Sequence, residues 1–215
     1  MSYQNFSLAQ LQQMDAAHHL HPFTDHKDLR AAGTRIISRA DGPFIYDTEG
    51  NEILDAMAGL WCVNIGYGRD ELADAAYAQM KELPYYNSFF RCTTPTATLL
   101  ADKLASIAPA NINHVFFGSS GSEANDTALR LVRHYWALEG KPEKNRIISR
   151  NMAYHGSTVA GTSLGGMSGM HDQLGGAVPN IVHVMMPYAF ELARPGESDH
   201  DFGLRAAKAV EDAIL

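Results

Sequence analysis

Gly118-Ser119-Ser120-Gly121-Ser122-Glu123-Ala124-Asn125-Asp126 stands between an apolar run, His114-Val115-Phe116-Phe117, and a helical run, Ala128-Leu129-Arg130-Leu131-Val132-Arg133-His134-Tyr135-Trp136. A strand that turns through small residues into a helix start points several free backbone N–H groups at one spot, and the helix dipole adds partial positive charge there. Such a spot suits a phosphate. Ser119, Ser120 and Ser122 bring hydroxyl donors, and Gly121 lets an anion approach the backbone closely. The same residues admit a plainer reading. Ser120 followed three residues later by Glu123 is a capping box, with which any helix satisfies its own first N–H groups. The spacing matches neither the nucleoside-triphosphate loop G-x-x-x-x-G-K-[ST] nor the dinucleotide fingerprint G-x-G-x-x-G.

Strands are expected at 114–117, 146–150 and 181–186, separated by helical runs. That alternation indicates an α/β sheet with crossover connections. Ligands of such sheets bind beyond the carboxyl ends of the strands. Both the 118–123 loop and Tyr154-His155-Gly156 follow strands, so the two are expected to face one crevice. Tyr154 to Thr158 opens a short helix. Gly161 to Gly176 holds six glycines, which reads as a long irregular loop. A last helix starts at Asp201.

The N-terminal part reads differently. Ser7 is the N-cap of a helix through Leu8, Leu11 and Met14. Arg35 to Ser38 is a short strand. Pro43–Asp47 and Glu52–Ala56 flank the turn Thr48-Glu49-Gly50-Asn51 and form a hairpin. Ala58 to Gly68 mixes glycine with large apolar side chains, which suggests irregular, closely packed backbone rather than a helix. Helices follow from Asp70 to Pro84 and from Pro95 to Pro109. Between them, Tyr85-Tyr86-Asn87-Ser88-Phe89-Phe90 concentrates aromatics, as a core, a pocket or a subunit interface does.

The 215 residues carry 17 Lys and Arg against 24 Asp and Glu, a formal charge of −7. That balance disfavours nonspecific binding to nucleic acid or to an anionic membrane surface. No window approaches ~20 uninterrupted apolar residues, the length of a membrane span. Met1-Ser2-Tyr3-Gln4-Asn5 shows neither the basic nor the apolar region of a secretory signal. Cys62 and Cys92 lack C-x-x-C spacing and read as buried free thiols of a reducing, cytoplasmic compartment. His18, His19, His21 and His26 crowd nine positions, yet their spacing fits no tight zinc pattern, and no metal is expected.

Four ordered stretches are shared with a known family: Asp41-Gly42 through Asp55, Gly59-Leu60-Trp61-Cys62-Val63-Asn64, Ser120-Gly121-Ser122-Glu123-Ala124-Asn125, and Tyr154-His155-Gly156-Ser157. From about Leu20 to its last residue the chain resembles the N-terminal half of class III aminotransferases. Its Leu-Trp-Cys-Val-Asn stretch is most similar to the ω-amino acid or amine–pyruvate branch. The resemblance implies the fold-type-I, aspartate-aminotransferase-like α/β architecture, a mixed, mostly parallel sheet flanked by helices. Residues 1–66 would form the N-terminal arm and part of the small domain, and 67–215 the N-terminal portion of the large, cofactor-binding domain. It implies pyridoxal phosphate as cofactor, its phosphate held by Ser120, Gly121 and Ser122 and its ring stacked on Tyr154. His155 is either a neighbour of that site or a satisfied interior histidine. Phe23, Leu60 and Trp61 would line the substrate pocket. Phe89 and its neighbours would approach the partner subunit's site, since the family works as homodimers, or homotetramers, with shared sites.

The implied reaction moves an amino group from an amine or ω-amino acid to pyruvate or another keto acid. The Schiff-base lysine, the acidic partner of the pyridine nitrogen and the arginine that receives the substrate carboxylate lie beyond Leu215 in the family layout. No catalytic residue is therefore expected within these residues, and none of Lys27, Lys81, Lys103, Lys141, Lys144 or Lys208 has the matching context. The final helix ends without a cap, so the chain is expected to be part of a longer protein, inactive alone and exposing apolar surface. Two alternatives stand beside transamination: another pyridoxal-phosphate reaction of the aminomutase or decarboxylase-like kind, and a non-catalytic phosphate-binding module.

Overall fold

The computed structural model describes residues 3–215 and resolves into two compact units, Met1–Pro95 and Thr96–Leu215. In the first, a 3-10 turn at Tyr3–Asn5 precedes α1 (Leu8–His18) and α2 (His26–Ala32). Ser7 caps α1 as expected. Its hydroxyl accepts from Gln10 N, and the Gln10 side chain accepts from Ser7 N, which completes a capping box. Asp25 caps α2, its carboxylate accepting from Lys27 N and Asp28 N.

The expected hairpin forms and gains a third strand. β1 (Ile37–Asp41), β2 (Phe44–Asp47) and β3 (Glu52–Leu54) pair antiparallel in the order β1-β2-β3. Asp47 sets the β2–β3 turn. Its carboxylate accepts from Glu49 N, Asn51 N and the Asn51 amide, while Gly50 supplies φ +88°. The Asn51 amide, with the two backbone donors and the charge of Arg35 behind it, holds the Asp47 carboxyl below its ordinary range against its burial. The glycine-rich stretch after the hairpin is irregular except for one helical turn, α3 (Ala58–Trp61). α4 (Asp70–Glu82) stops before Pro84, and α5 (Pro95–Ile107) starts on its proline.

The second unit contains α6 (Gly121–Leu138), β4 (Ile147–Arg150), α7 (Val159–Leu164), α8 (Ser168–His171), β5 (Ile181–Val184), α9 (Ala189–Leu192) and α10 (Asp199–Ile214). β4 and β5 lie parallel, with Ile147 opposite Ile181 and Arg150 opposite Val184, as a crossover connection requires. The expected long loop at 161–176 is a correction. Gly161 to Leu164 belong to α7, whose N-cap Thr158 accepts from Gly161 N, and Ser168–His171 form α8. The glycines there serve close packing. A Cβ on Gly166 would stand 2.6 Å from Met152 N, and one on Gly161 3.0 Å from His155 O.

His114–Phe117 is a second correction. The run forms no strand among the described residues, although it leads into α6 as expected. A strand exists only through its ladder, and this run has no paired neighbour; Phe116 and Phe117 are exposed. The thiols differ from expectation too. Cys62 is exposed and Cys92 half-buried, because Cys62 ends α3, a turn whose own side chains face outward.

The buried apolar residues of the second unit are Leu164, Val184, Phe202 and Ala206. Phe202 and Ala206 are four apart on α10 and pack its inner face on β5. Arg150 reinforces that contact by donating to Met185 O and Ala206 O. Helices α4, α5 and α6 are amphipathic, yet none of them carries a buried residue.

Candidate functional site

The first two turns of α6 and the segment after β4 are laced together by three hydrogen bonds. Ser157 N donates to Ser122 Oγ at 3.2 Å, the Asn125 amide donates to His155 O at 2.7 Å, and the Thr158 hydroxyl donates to Asp126 Oδ1 at 2.6 Å. Gly156 makes the approach possible. It is buried, it has φ +120°, and a Cβ there would lie 2.8 Å from Ser122 Cβ. Two of the expected cofactor-binding segments, 120–122 and 154–155, are thereby fixed to each other.

Both readings of the helix start are visible at once. Ser120 is the N-cap of α6 in extended geometry and accepts from Glu123 N at 3.1 Å. The Glu123 carboxylate accepts from Ser119 N at 2.6 Å, one residue before the cap. The N–H groups of Gly121 and Ser122 belong to the first turn and have no acceptor within the helix. The space over Gly121 is open, since an added Cβ would meet nothing within 4 Å. Capping therefore occupies Glu123 N and Ser119 N and leaves the first-turn donors facing outward. Tyr154 is 53% exposed. His155 is half-buried and borders a cleft of about 230 Å³ with Asn125, Leu129, Ile148, Ser149 and Leu164.

The other expected residues lie in the first unit. Phe23 sits in the turn between α1 and α2 at φ +49°, and Phe89 follows α4 with its N–H donated to Asn87 Oδ1 at 2.9 Å. Leu60 and Trp61 share α3, whose backbone is unusual. Ala58, Gly59, Leu60 and Trp61 have φ of +47°, +60°, +64° and +64°, and the turn is closed by Trp61 N to Met57 O at 2.8 Å and Cys62 N to Ala58 O at 2.9 Å. This is one turn of left-handed helix, in which each non-glycine residue costs roughly 1–2 kcal/mol. Strain of this kind clusters at ligand clamps and active sites. Leu60 is 61% and Trp61 76% exposed, so neither is held by packing.

The histidine-rich segment is organised by a residue that spacing did not single out. Asp15 accepts from the Thr34 hydroxyl and lies 2.9 Å from both His19 Nδ1 and His21 Nε2. The Thr34 hydroxyl first, then His21, holds the Asp15 carboxyl down at about 2. Asp15, His19 and His21 form a group of metal-ligand type; one nitrogen of each ring, His19 Nδ1 and His21 Nε2, is spent on the carboxylate, and through Thr34 the group latches α1 to the segment before β1. Asn125, Asp126 and Thr158 were missed as well. Their signal was three amide, carboxylate and hydroxyl side chains in or beside helix starts, where local capping is the more frequent use.

Comparison with known proteins closes the question of family. The model of the aminotransferase class-III family matches residues 28–214. Putrescine–pyruvate aminotransferase of Pseudomonas aeruginosa is 53% identical over 212 residues, 98% of this chain and 46% of that protein. Gamma-aminobutyrate transaminase 1, mitochondrial, of Oryza sativa subsp. indica is 38% identical over 91% of this chain and 38% of its own length. Among solved structures, the (S)-enantioselective omega-transaminase of Thermomicrobium roseum superposes with a TM-score of 0.91 at 39% identity, covering 97% of this chain and 46% of that one. The omega transaminase of Pseudomonas jessenii in complex with PMP does so with 0.91 at 38% identity, covering 95% and 45%. The chain thus spans just under half the length of these relatives and has the α/β fold of the matching portion of the two transaminase structures. It belongs to the class-III aminotransferases.

Proposed function

We propose that the protein to which these residues belong is a pyridoxal-phosphate-dependent aminotransferase that moves the amino group of a diamine, amine or ω-amino acid to pyruvate. The lacing of the α6 start to the 155–158 segment carries this reading. It sets a helix N-terminus with outward donors beside an exposed tyrosine, which is what a ligand with a phosphate at one end and a flat ring at the other requires. The 53% identity to a putrescine–pyruvate aminotransferase supports the choice of donor and acceptor.

In this reading Gly121 N and Ser122 N, with the hydroxyl protons of Ser120 and Ser122, hold the phosphate, and Tyr154 packs on the ring. Bound pyridoxal phosphate supplies the aldehyde carbon that takes up the amino group and the ring that spreads the electron pair. Glu123 keeps Ser119 N out of the anion site. His155 holds the Asn125 amide through its carbonyl and so fixes the orientation of the first turn. Phe23, Leu60 and Trp61 exclude water from the amine's carbon chain and select its shape. Residues 1–66 serve as arm and small-domain portion and 67–215 as cofactor-domain portion. The exposed Phe89 and Phe90, at 69% and 92%, suit a homodimer contact. The net charge and free thiols suit a cytoplasmic enzyme, and no helix among the described residues is long and apolar enough to cross a membrane.

The test is turnover by the full-length protein. Loaded with pyridoxal phosphate and given pyruvate, it is expected to form alanine with putrescine or a related amine. No cofactor uptake, or amine loss without alanine, would overturn the reading.

A further inference from the structure

The left-handed turn α3 carries no buried residue, yet it is tied to its surroundings. Asp55 explains how. One carboxylate oxygen, Oδ2, accepts from Gly59 N at 2.7 Å and from the Tyr67 hydroxyl at 2.8 Å. Both ends of that bridge are tied to the same short stretch of backbone. Asp55 N donates to Pro43 O at 2.9 Å, and Tyr67 N donates to Gly42 O at 2.8 Å. Gly42–Pro43 joins β1 to β2, so the bridge is braced against the sheet. Gly59 is required at its place. A Cβ there would lie 2.7 Å from Val63 Cγ2 and 3.0 Å from the Tyr67 hydroxyl. Gly66 packs on Gly42, with an added Cβ 3.1 Å from Gly42 O.

We propose that Asp55, braced by Tyr67, is the positioning residue of the substrate-pocket wall: it pegs the strained turn Ala58–Trp61 and thereby fixes Leu60 and Trp61 against the amine substrate. The proposal rests on the transaminase reading for the identity of the pocket. Its physical content does not. Two large apolar side chains are exposed on a backbone that relaxes unless something holds it, and the N–H in the middle of the turn donates to Asp55. Both bonds converge on a single oxygen, so the carbonyl oxygen of an amide can stand in its place.

That last point fixes the experiment. In the full-length protein loaded with pyridoxal phosphate, Asp55→Asn retains a carbonyl oxygen and Asp55→Leu removes it at similar size. Tyr67→Phe removes the brace alone and guards against a failure of Asp55→Leu to fold. Asp55→Leu is expected to raise the amine KM roughly tenfold with kcat within about threefold, because a displaced wall weakens binding of the whole amine. Asp55→Asn should stay near wild type and Tyr67→Phe should fall between. The chain has two tryptophans, so in a Trp136→Phe background acrylamide quenching reads Trp61 provided the remainder of the protein contributes none; otherwise a fluorinated-tryptophan resonance assigned by Trp61→Phe does so. Quenching, or the linewidth, should change in Asp55→Leu and not in Asp55→Asn. Unchanged KM and unchanged Trp61 signal in Asp55→Leu and Tyr67→Phe would overturn the proposal. So would Asp55→Asn behaving like Asp55→Leu, or a joint collapse of kcat, KM and cofactor uptake in Tyr67→Phe. If wild type turns over no amine, the transaminase reading fails, and the Trp61 signal alone still decides whether Asp55 holds the turn.

Discussion

The Asn125 amide donates a 2.7 Å hydrogen bond to the carbonyl of His155, thirty residues further along the chain. It opens the second turn of α6, and its partner is the residue after Tyr154. The bond therefore couples the start of α6 to the segment that carries Tyr154, the two parts proposed to hold the cofactor's phosphate and ring. Asn125→Ala leaves the His155 carbonyl short of a partner in a half-buried place and is expected to cost about 1–2 kcal/mol of stability. It should also weaken pyridoxal-phosphate uptake by the full-length protein several-fold, measured as the dissociation constant in an absorbance titration. An unchanged constant would show that the two segments stay aligned without it.

Gly156 is the tighter constraint. Its φ of +120° disfavours any side chain, and a Cβ would press on Ser122. Gly156→Ala is expected to cost about 1–3 kcal/mol and to push the 154–158 segment off α6. Loss of cofactor uptake should exceed that of Asn125→Ala, because backbone moves where only a bond was lost before. Thermal melting with and without added pyridoxal phosphate separates the two effects: the stabilising shift caused by the cofactor should shrink in Gly156→Ala.

Much of this was legible in residue order. Ser7, Ser120, Pro84 and Pro95 mark helix ends through local chemistry, and local chemistry is what sequence displays. The hairpin around Gly50 was legible for the same reason. The strand expected at His114–Phe117 was not settled by its apolar run, since a strand is a relation to a neighbour and a run contains no neighbour. The glycines of 161–176 were read as looseness, but Gly161, Gly165 and Gly166 permit close packing of α7 on the segment after β4. The coupling of Asn125 to His155, and of Asp15 to Thr34, spans 30 and 19 positions; no pattern of spacing announces such pairs.

Asp15 gives a pH prediction with a definite sign. Its carboxyl, ordinarily at 3.8, is held at about 2 by the Thr34 hydroxyl, then His21. A depressed carboxylate stabilises the folded state fully above the unfolded value, and that contribution is lost as pH falls from about 4 towards 2. Thr34→Val removes the largest cause. It is expected to raise the Asp15 value, seen in a carboxyl carbon NMR titration, and to move the acid end of the stability profile to higher pH. An Asp15 titration indifferent to Thr34→Val would refute the latch.

Phe202 and Ala206 anchor α10 and are 3% and 2% exposed. Their burial makes opposite substitutions informative. Phe202→Ala leaves a cavity between α10 and β5 and is expected to cost about 3–5 kcal/mol. Ala206→Leu overfills the same interface and is expected to cost about 1–3 kcal/mol. Neither residue touches the α6 start or the 154–158 segment in the hydrogen-bond network that ties them. Folded protein carrying Ala206→Leu should therefore bind pyridoxal phosphate with nearly wild-type affinity while melting at lower temperature. A parallel loss of cofactor affinity would mean that the α10 interface and the cofactor segments move as one unit, and that the lacing of Ser122, Asn125 and Asp126 to residues 155–158 is not sufficient to hold the site.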